Sequence, residues 1–245
     1  MPTNPEADAS MAFSRGMSQG GAEPPLRERV YAHLKRLLNT GSLAPGCFID
    51  LAAMGQDLGL SRTPLRDALL RLEAEGFVTI HSRRGVVVNT LELATIRNAY
   101  QLLGALEASA IIEVAPVFTA KDAARMAGLN DRMKASLAAD DFGDYYAANL
   151  AFHDVYIEKS VNAELRRMVH ILKERLYDFP RKEGYLSEWE GRSLEEHSAL
   201  ASLLASGDFA GGAAYVRDVH WSFAVQERFI MAYYFARETA GGGRR

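Results

Sequence analysis

The strongest constraint in this sequence is the run Ser61-Arg62-Thr63-Pro64-Leu65-Arg66-Asp67-Ala68-Leu69-Leu70-Arg71-Leu72-Glu73-Ala74-Glu75-Gly76. Ser61 is a helix N-cap residue, Pro64 stands in the first turn where a missing N–H forfeits no hydrogen bond, and Gly76 is a stop signal. Leu65, Ala68, Leu69 and Leu72 recur at helical spacing on one face, while Arg62 and Arg66 sit one turn apart on another. Such a helix buries one side and presents Arg62, Thr63 and Arg66 near its N-terminus, where free backbone N–H groups also attract anions.

The flanking residues place this helix in a series. Leu26, Val30, Leu34 and Leu37/Leu38 predict a first helix ended by Gly41, and Pro45-Gly46 makes a turn. Asp50 caps a short second helix through Leu58, which Gly59 ends. Past Gly76 the runs Phe77–Ile80 and Val86–Val88, joined by His81-Ser82-Arg83-Arg84-Gly85, predict a two-stranded hairpin with a basic tip. Taken singly, each arginine is a solvated surface charge. The order helix, short helix, turn, helix and basic hairpin predicts a winged helix-turn-helix that binds DNA, with Arg83 and Arg84 reaching phosphate or the minor groove.

Net charge alone does not decide the partner. The chain of 245 residues has a formal charge of -3, but residues 21–90 hold nine Lys/Arg against seven Asp/Glu, a balance of only +2. A hydrophobic share of 48% argues for packed cores. Cys47 is the single cysteine, which excludes an internal disulfide and suits a reducing compartment. No stretch reaches the roughly 18 apolar residues of a membrane span, and residues 1–22 read as a polar tail and not as a signal peptide, so a cytoplasmic location is expected.

Beyond residue 90 the period is helical to residue 238, with breaks at Pro116, Asp140-Asp141, Ser160–Asn162, Pro180–Ser187 and Gly207, which predicts about six helices in an antiparallel bundle. The expected organisation is a tail at 1–22, a winged helix-turn-helix at 23–90, a helical effector-binding and dimerisation domain at 91–238, and a second tail at 239–245. Asn149 and His153 share one helix face, and His197 and His220 lie in later helices. A lone histidine is more often a core residue, but these four side chains together would offer nitrogen and oxygen donors to zinc, nickel or another divalent transition ion. Arg175 is a candidate cation for an effector and equally a surface ion-pair partner. The loop Tyr177–Trp189 would cover either the ligand cavity or a dimer surface.

The run from Leu26 to Asn89, above all Ser61–Leu69, Leu72, Glu75-Gly76 and Arg84-Gly85, resembles the DNA-binding domain of GntR-type regulators. That resemblance implies base and phosphate contacts from Ser61, Arg62, Thr63 and Arg66, with Arg83, Arg84 and Gly85 in the wing. Residues 91–238 look like the FCD domain of the FadR branch of that family, which implies that Asn149, His153, His197 and His220 surround a metal. It further implies a homodimer on a near-palindromic operator, a small-molecule effector of the organic-acid kind, and repression relieved by that effector. Three positions depart from the family pattern. Leu51-Ala52-Ala53 stands where many relatives have a basic or polar residue, Asn149 where many have Asp, and Leu103 near where many have Arg. Two other readings start from the residues: a helical metal-dependent phosphohydrolase, from His153-Asp154, or a helical interaction module. Both leave the 61–76 run without a purpose.

Overall fold

The computed structural model describes residues 24–82, 84–177 and 186–235. Arg83, both expected tails and most of the expected loop at 177–189 fall outside the described residues. The fold is mostly helical, with one small sheet, as the periodicity predicts. Two compact units are present: residues 24–92 with the helix end 173–177, and residues 93–172 with 186–235. Among the described residues no helix is long and apolar enough to cross a membrane.

In the first unit, helices α1 (Leu26–Asn39), α2 (Leu51–Asp57) and α3 (Arg62–Ala74) are combined with strands β1 (Phe48–Ile49), β2 (Val78–His81) and β3 (Gly85–Val88). Leu65, Leu69 and Leu72 on α3 meet Val30, Leu34 and Leu38 on α1, all at 0–1% exposure. Each such side chain stabilises the fold by about 1.5–3 kcal/mol. Gly76 has φ +82, and the Phe77 N–H donates to the Leu72 carbonyl, closing α3 so that the chain turns directly into β2. The wing is tied down by side chains: the Ile80 N–H donates to Glu73 Oε1, and Asn89 Nδ2 donates to the Gly76 carbonyl.

The expected two-stranded hairpin is a three-stranded sheet in the order β1-β3-β2, with Phe48 opposite Val87 and Ile49 opposite Val86. Two residues show no period, so β1 left no trace in the pattern. Ser61 occupies the N-cap position of α3 with extended backbone but makes no side-chain cap bond, whereas Asp50 caps α2 by accepting from the N–H groups of Ala52 and Ala53.

The second unit contains α4 (Leu93–Val114), α5 (Ala120–Ala138), α6 (Phe142–Ile157), α7 (Ala163–Tyr177, whose last turn groups with the first unit), α8 (Ser187–Ala205), α9 (Phe209–Tyr215) and α10 (Phe223–Phe235). Helix α5 packs along α6 and α8, and α4 packs against α6 and α9. Between α9 and α10 the chain makes a π-helical turn, Val216–His220, in which the Trp221 N–H reaches back to the Val216 carbonyl.

Candidate DNA-reading surface and metal centre

Helix α3 points its N-terminal half outward: Ser61, Arg62, Thr63 and Arg66 are exposed while Leu65, Ala68 and Leu69 are buried beneath them. Arg62, Thr63 and Arg66 line one side of a cleft of about 810 Å³, and Asp50, Leu51, Ala52 and Gly85 line other parts of it. Helix α3, the short helix before it and the wing thus share one concavity. Arg84 is exposed at the wing beside it. The wall supplied by α2 is apolar, and the Asp50 carboxylate occupies the two amides that a phosphate would otherwise meet there.

In the second unit three helical elements bring their imidazoles together. His153 on α6, His197 on α8 and His220 at the end of the π-helical turn each offer one ring nitrogen, all within 4.8 Å of one another. His153 Nε2 lies 3.3 Å from His197 Nε2, and His153 and His197 are 1% and 0% exposed. The outer nitrogens of His153 and His220 are held by carboxylates. His153 Nδ1 is 2.8 Å from Glu107 Oε2 on α4, which also accepts the Tyr156 hydroxyl at 2.5 Å. His220 Nδ1 is 3.0 Å from Glu196 Oε2. Burial pushes the Glu196 carboxyl up, but hydrogen bonds from His220, Arg192 and Gln226 bring it below the usual carboxylate range.

This donor set fits a divalent transition ion. A carboxylate on the outer nitrogen favours the tautomer whose other nitrogen keeps its lone pair for a metal. Three imidazole nitrogens leave coordination positions open to further ligands. Asn149 is half-buried one turn before His153 on the same helix, and its amide interacts with the Tyr145 hydroxyl.

Phe152 stacks at a tilt over His197, and Trp221 lies 5.1 Å from His220 and 5.2 Å from Tyr100 between ring centres. Leu103, one turn before Glu107, is fully buried. Arg175 lies in the stretch that groups with the first unit, where a Cβ on Gly76 would lie 3.0 Å from its guanidinium carbon.

Glu107, Tyr156 and Glu196 were absent from the sequence-derived site. Glu107 had a signal, as the lone Asp, Glu, Lys or Arg between Asn98 and Ile112. Glu196, in a run of ordinary surface-type residues, had none.

Residues 26–88 match the family of bacterial regulatory proteins named gntR, and residues 98–219 match the FCD domain. The Nta operon transcriptional regulator of Aminobacter aminovorans is 33% identical over 168 residues, covering 66% of this chain and 75% of that one. The HTH-type transcriptional repressor RspR of Escherichia coli is 22% identical over 131 residues, or 54% of this chain and 58% of its own. Among solved structures, Escherichia coli McbR/YncC aligns with a TM-score of 0.63 at 21% identity, over 85% of this chain and 96% of that chain. Lar, which controls the expression of the Listeria monocytogenes agr system, aligns with a TM-score of 0.58 at 21% identity, over 88% and 100%.

Proposed function

The chain belongs to the GntR family of bacterial transcriptional regulators with an FCD domain, and on that premise we propose that it is a repressor whose operator affinity is set by a small molecule bound beside a divalent metal. The observation that carries this reading is the convergence of His153, His197 and His220 from three separate elements of the second unit. Zinc is the first choice of ion, with nickel and related ions compatible with the same donors. Asn149 is assigned the fourth, neutral donor. When bound, the metal supplies a Lewis-acidic position for an oxygen or nitrogen atom of the effector. An organic acid is the effector class, and with Leu103 buried and apolar its carboxylate has no arginine at that position to meet.

In the first unit, Arg62, Thr63 and Arg66 are assigned to base edges and phosphates, with Ser61 beside them and Arg84 and Gly85 in the wing. Two chains present their α3 helices to a near-palindromic operator at half-sites about 34 Å apart. The effector changes affinity by favouring one arrangement of the DNA-binding units, to the extent that it binds the two arrangements differently. Repression as the sign of control is supported by the relative named a repressor, RspR. Phosphoester hydrolysis is the weaker reading, because Glu107 and Glu196 sit on the outer nitrogens of histidines.

A gel-shift titration on the DNA upstream of the chain's own gene tests the reading, with native mass spectrometry for metal. The expected result is a specific complex at moderate salt, together with one ion per chain that His153→Ala loses. Absence of any specific complex sinks the DNA half of the reading, and an ion retained by His153→Ala sinks the metal half.

A further inference from the structure

Helix α4 is enclosed on one side and bare on the other. Ile96, Leu103, Glu107 and Ile111 face the bundle at 0% exposure. The opposite side carries Asn98, Gln101, Leu102, Ala105, Ser109 and Ile112, all exposed, with Leu102 at 47% and Ile112 at 52%. Glu107 is the only Asp, Glu, Lys or Arg between Asn98 and Ile112, and it is turned inward, so about four turns of exposed helix present no charge. A solvated helix face ordinarily carries charge. Loss of charge around exposed branched aliphatic side chains is the composition of an interface core.

The pattern also says what meets this face. At about 100° per residue, Leu102 and Ile112 stand five residues before and after Glu107, at equal angles to either side of the outward direction. Ala105 and Ser109 do the same at two residues. The stripe is therefore its own complement when reversed. In an antiparallel pair with its two-fold axis level with residue 107, Leu102 comes level with the partner's Ile112, and Ala105 with the partner's Ser109. Small side chains at the centre let the helices approach closely, and the larger ones close the ends. No like charges meet, and a two-fold contact requires just such a self-complementary patch.

We infer that the outward face of α4, from Asn98 to Ile112, is the surface on which two copies of this chain pair, antiparallel and centred at the level of Glu107. The inference rests on the dimeric reading above and adds where the dimer forms and in which register.

The test is sedimentation velocity on the full chain, with Leu102→Glu, Ile112→Arg and an equimolar mixture of the two variants. Wild type is expected to be dimeric. Each variant, folded by circular dichroism, is expected to dissociate at least about tenfold more readily, which corresponds to about 1.4 kcal/mol. The mixture is expected to re-form dimers, because a mixed pair sets the new carboxylate level with the new guanidinium and leaves the second Leu102 and Ile112 level unchanged.

Single variants that remain fully dimeric would overturn the surface and leave the dimeric reading standing. A wild type monomeric at every concentration would overturn both, and a mixture that stays monomeric would overturn the register. Should a variant unfold, Ala105→Cys with Ser109→Cys in a Cys47→Ser background decides instead: interchain disulfides under mild oxidation support the pairing, and only monomer refutes it.

Discussion

Glu107 and Glu196 act on the proposed metal centre through the nitrogens that a metal would not use, holding His153 Nδ1 at 2.8 Å and His220 Nδ1 at 3.0 Å. Replacing Glu107 by Gln removes the charge and keeps the shape, so metal affinity is expected to fall about 10- to 100-fold. Competition with a chromophoric chelator measures this, and an unchanged affinity would show that the carboxylate does not tune the site. Asp144 offers a separate test. Hydrogen bonds from Arg132 and Ser136 hold its carboxyl at about 2, below its ordinary value of 3.8. The folded value is the lower one, so its stabilisation is complete above about 4 and is lost as pH falls toward 2. Asp144→Asn is expected to lower Tm at pH 7 by more than at pH 2.5, and equal effects at both would discard the pairing as a stabilising one. At this scale the sequence showed Asn149 and His153 as a pair because they lie four residues apart on one helix. It did not show that His197 and His220 reach His153, since that depends on how three helical elements pack.

The elements that were legible are those with punctuation. Gly76 ends α3 with a positive φ, Gly207 follows α8 with φ +83, and Pro116 lies two residues past the end of α4. Those without it were missed. Strand β1 has two residues, and the turn at Val216–His220 differs from α-helix by one hydrogen-bond step that no residue type marks. Helix α2 carries the departure most open to test. Its cap, Asp50, stabilises the helix through the Ala52 and Ala53 amides while placing a negative charge on the cleft beside Arg62 and Arg66. Asp50→Ala is expected to cost about 0.5–2 kcal/mol of stability in chemical denaturation. The same substitution is expected to tighten DNA binding by freeing two N–H groups and removing a repelling charge. Weaker binding by a folded variant would mean that the cap, and not the open amides, serves the DNA.

For the whole chain, a net charge of -3 makes binding to a polyanion a matter of local arrangement and therefore of salt. The logarithm of operator affinity is expected to fall linearly with that of salt concentration, with a slope of about -0.9 per phosphate neutralised. If Arg66 holds a phosphate, Arg66→Ala reduces that slope by about one. If Arg66 reads a base, the variant loses about 1–3 kcal/mol and relaxes preference at one position. Gel-shift titrations at several salt concentrations separate the two, and a variant with unaltered slope and preference would remove Arg66 from the interface. The turn at Val216–His220 holds one more residue than an α-helical turn of the same span, and an α-helix advances about 100° per residue. Everything downstream is thereby set to a different rotational phase from everything upstream. Deleting a single residue there would leave Gly212 and Ala213 in place but swing His220 off Glu196, Trp221 off Tyr100 and the buried faces of Gln226 and Phe229 out of the bundle together. One residue of chain length is thus spent as an angle, and that offset keeps the histidine-bearing and core-facing parts of the C-terminal segment in step.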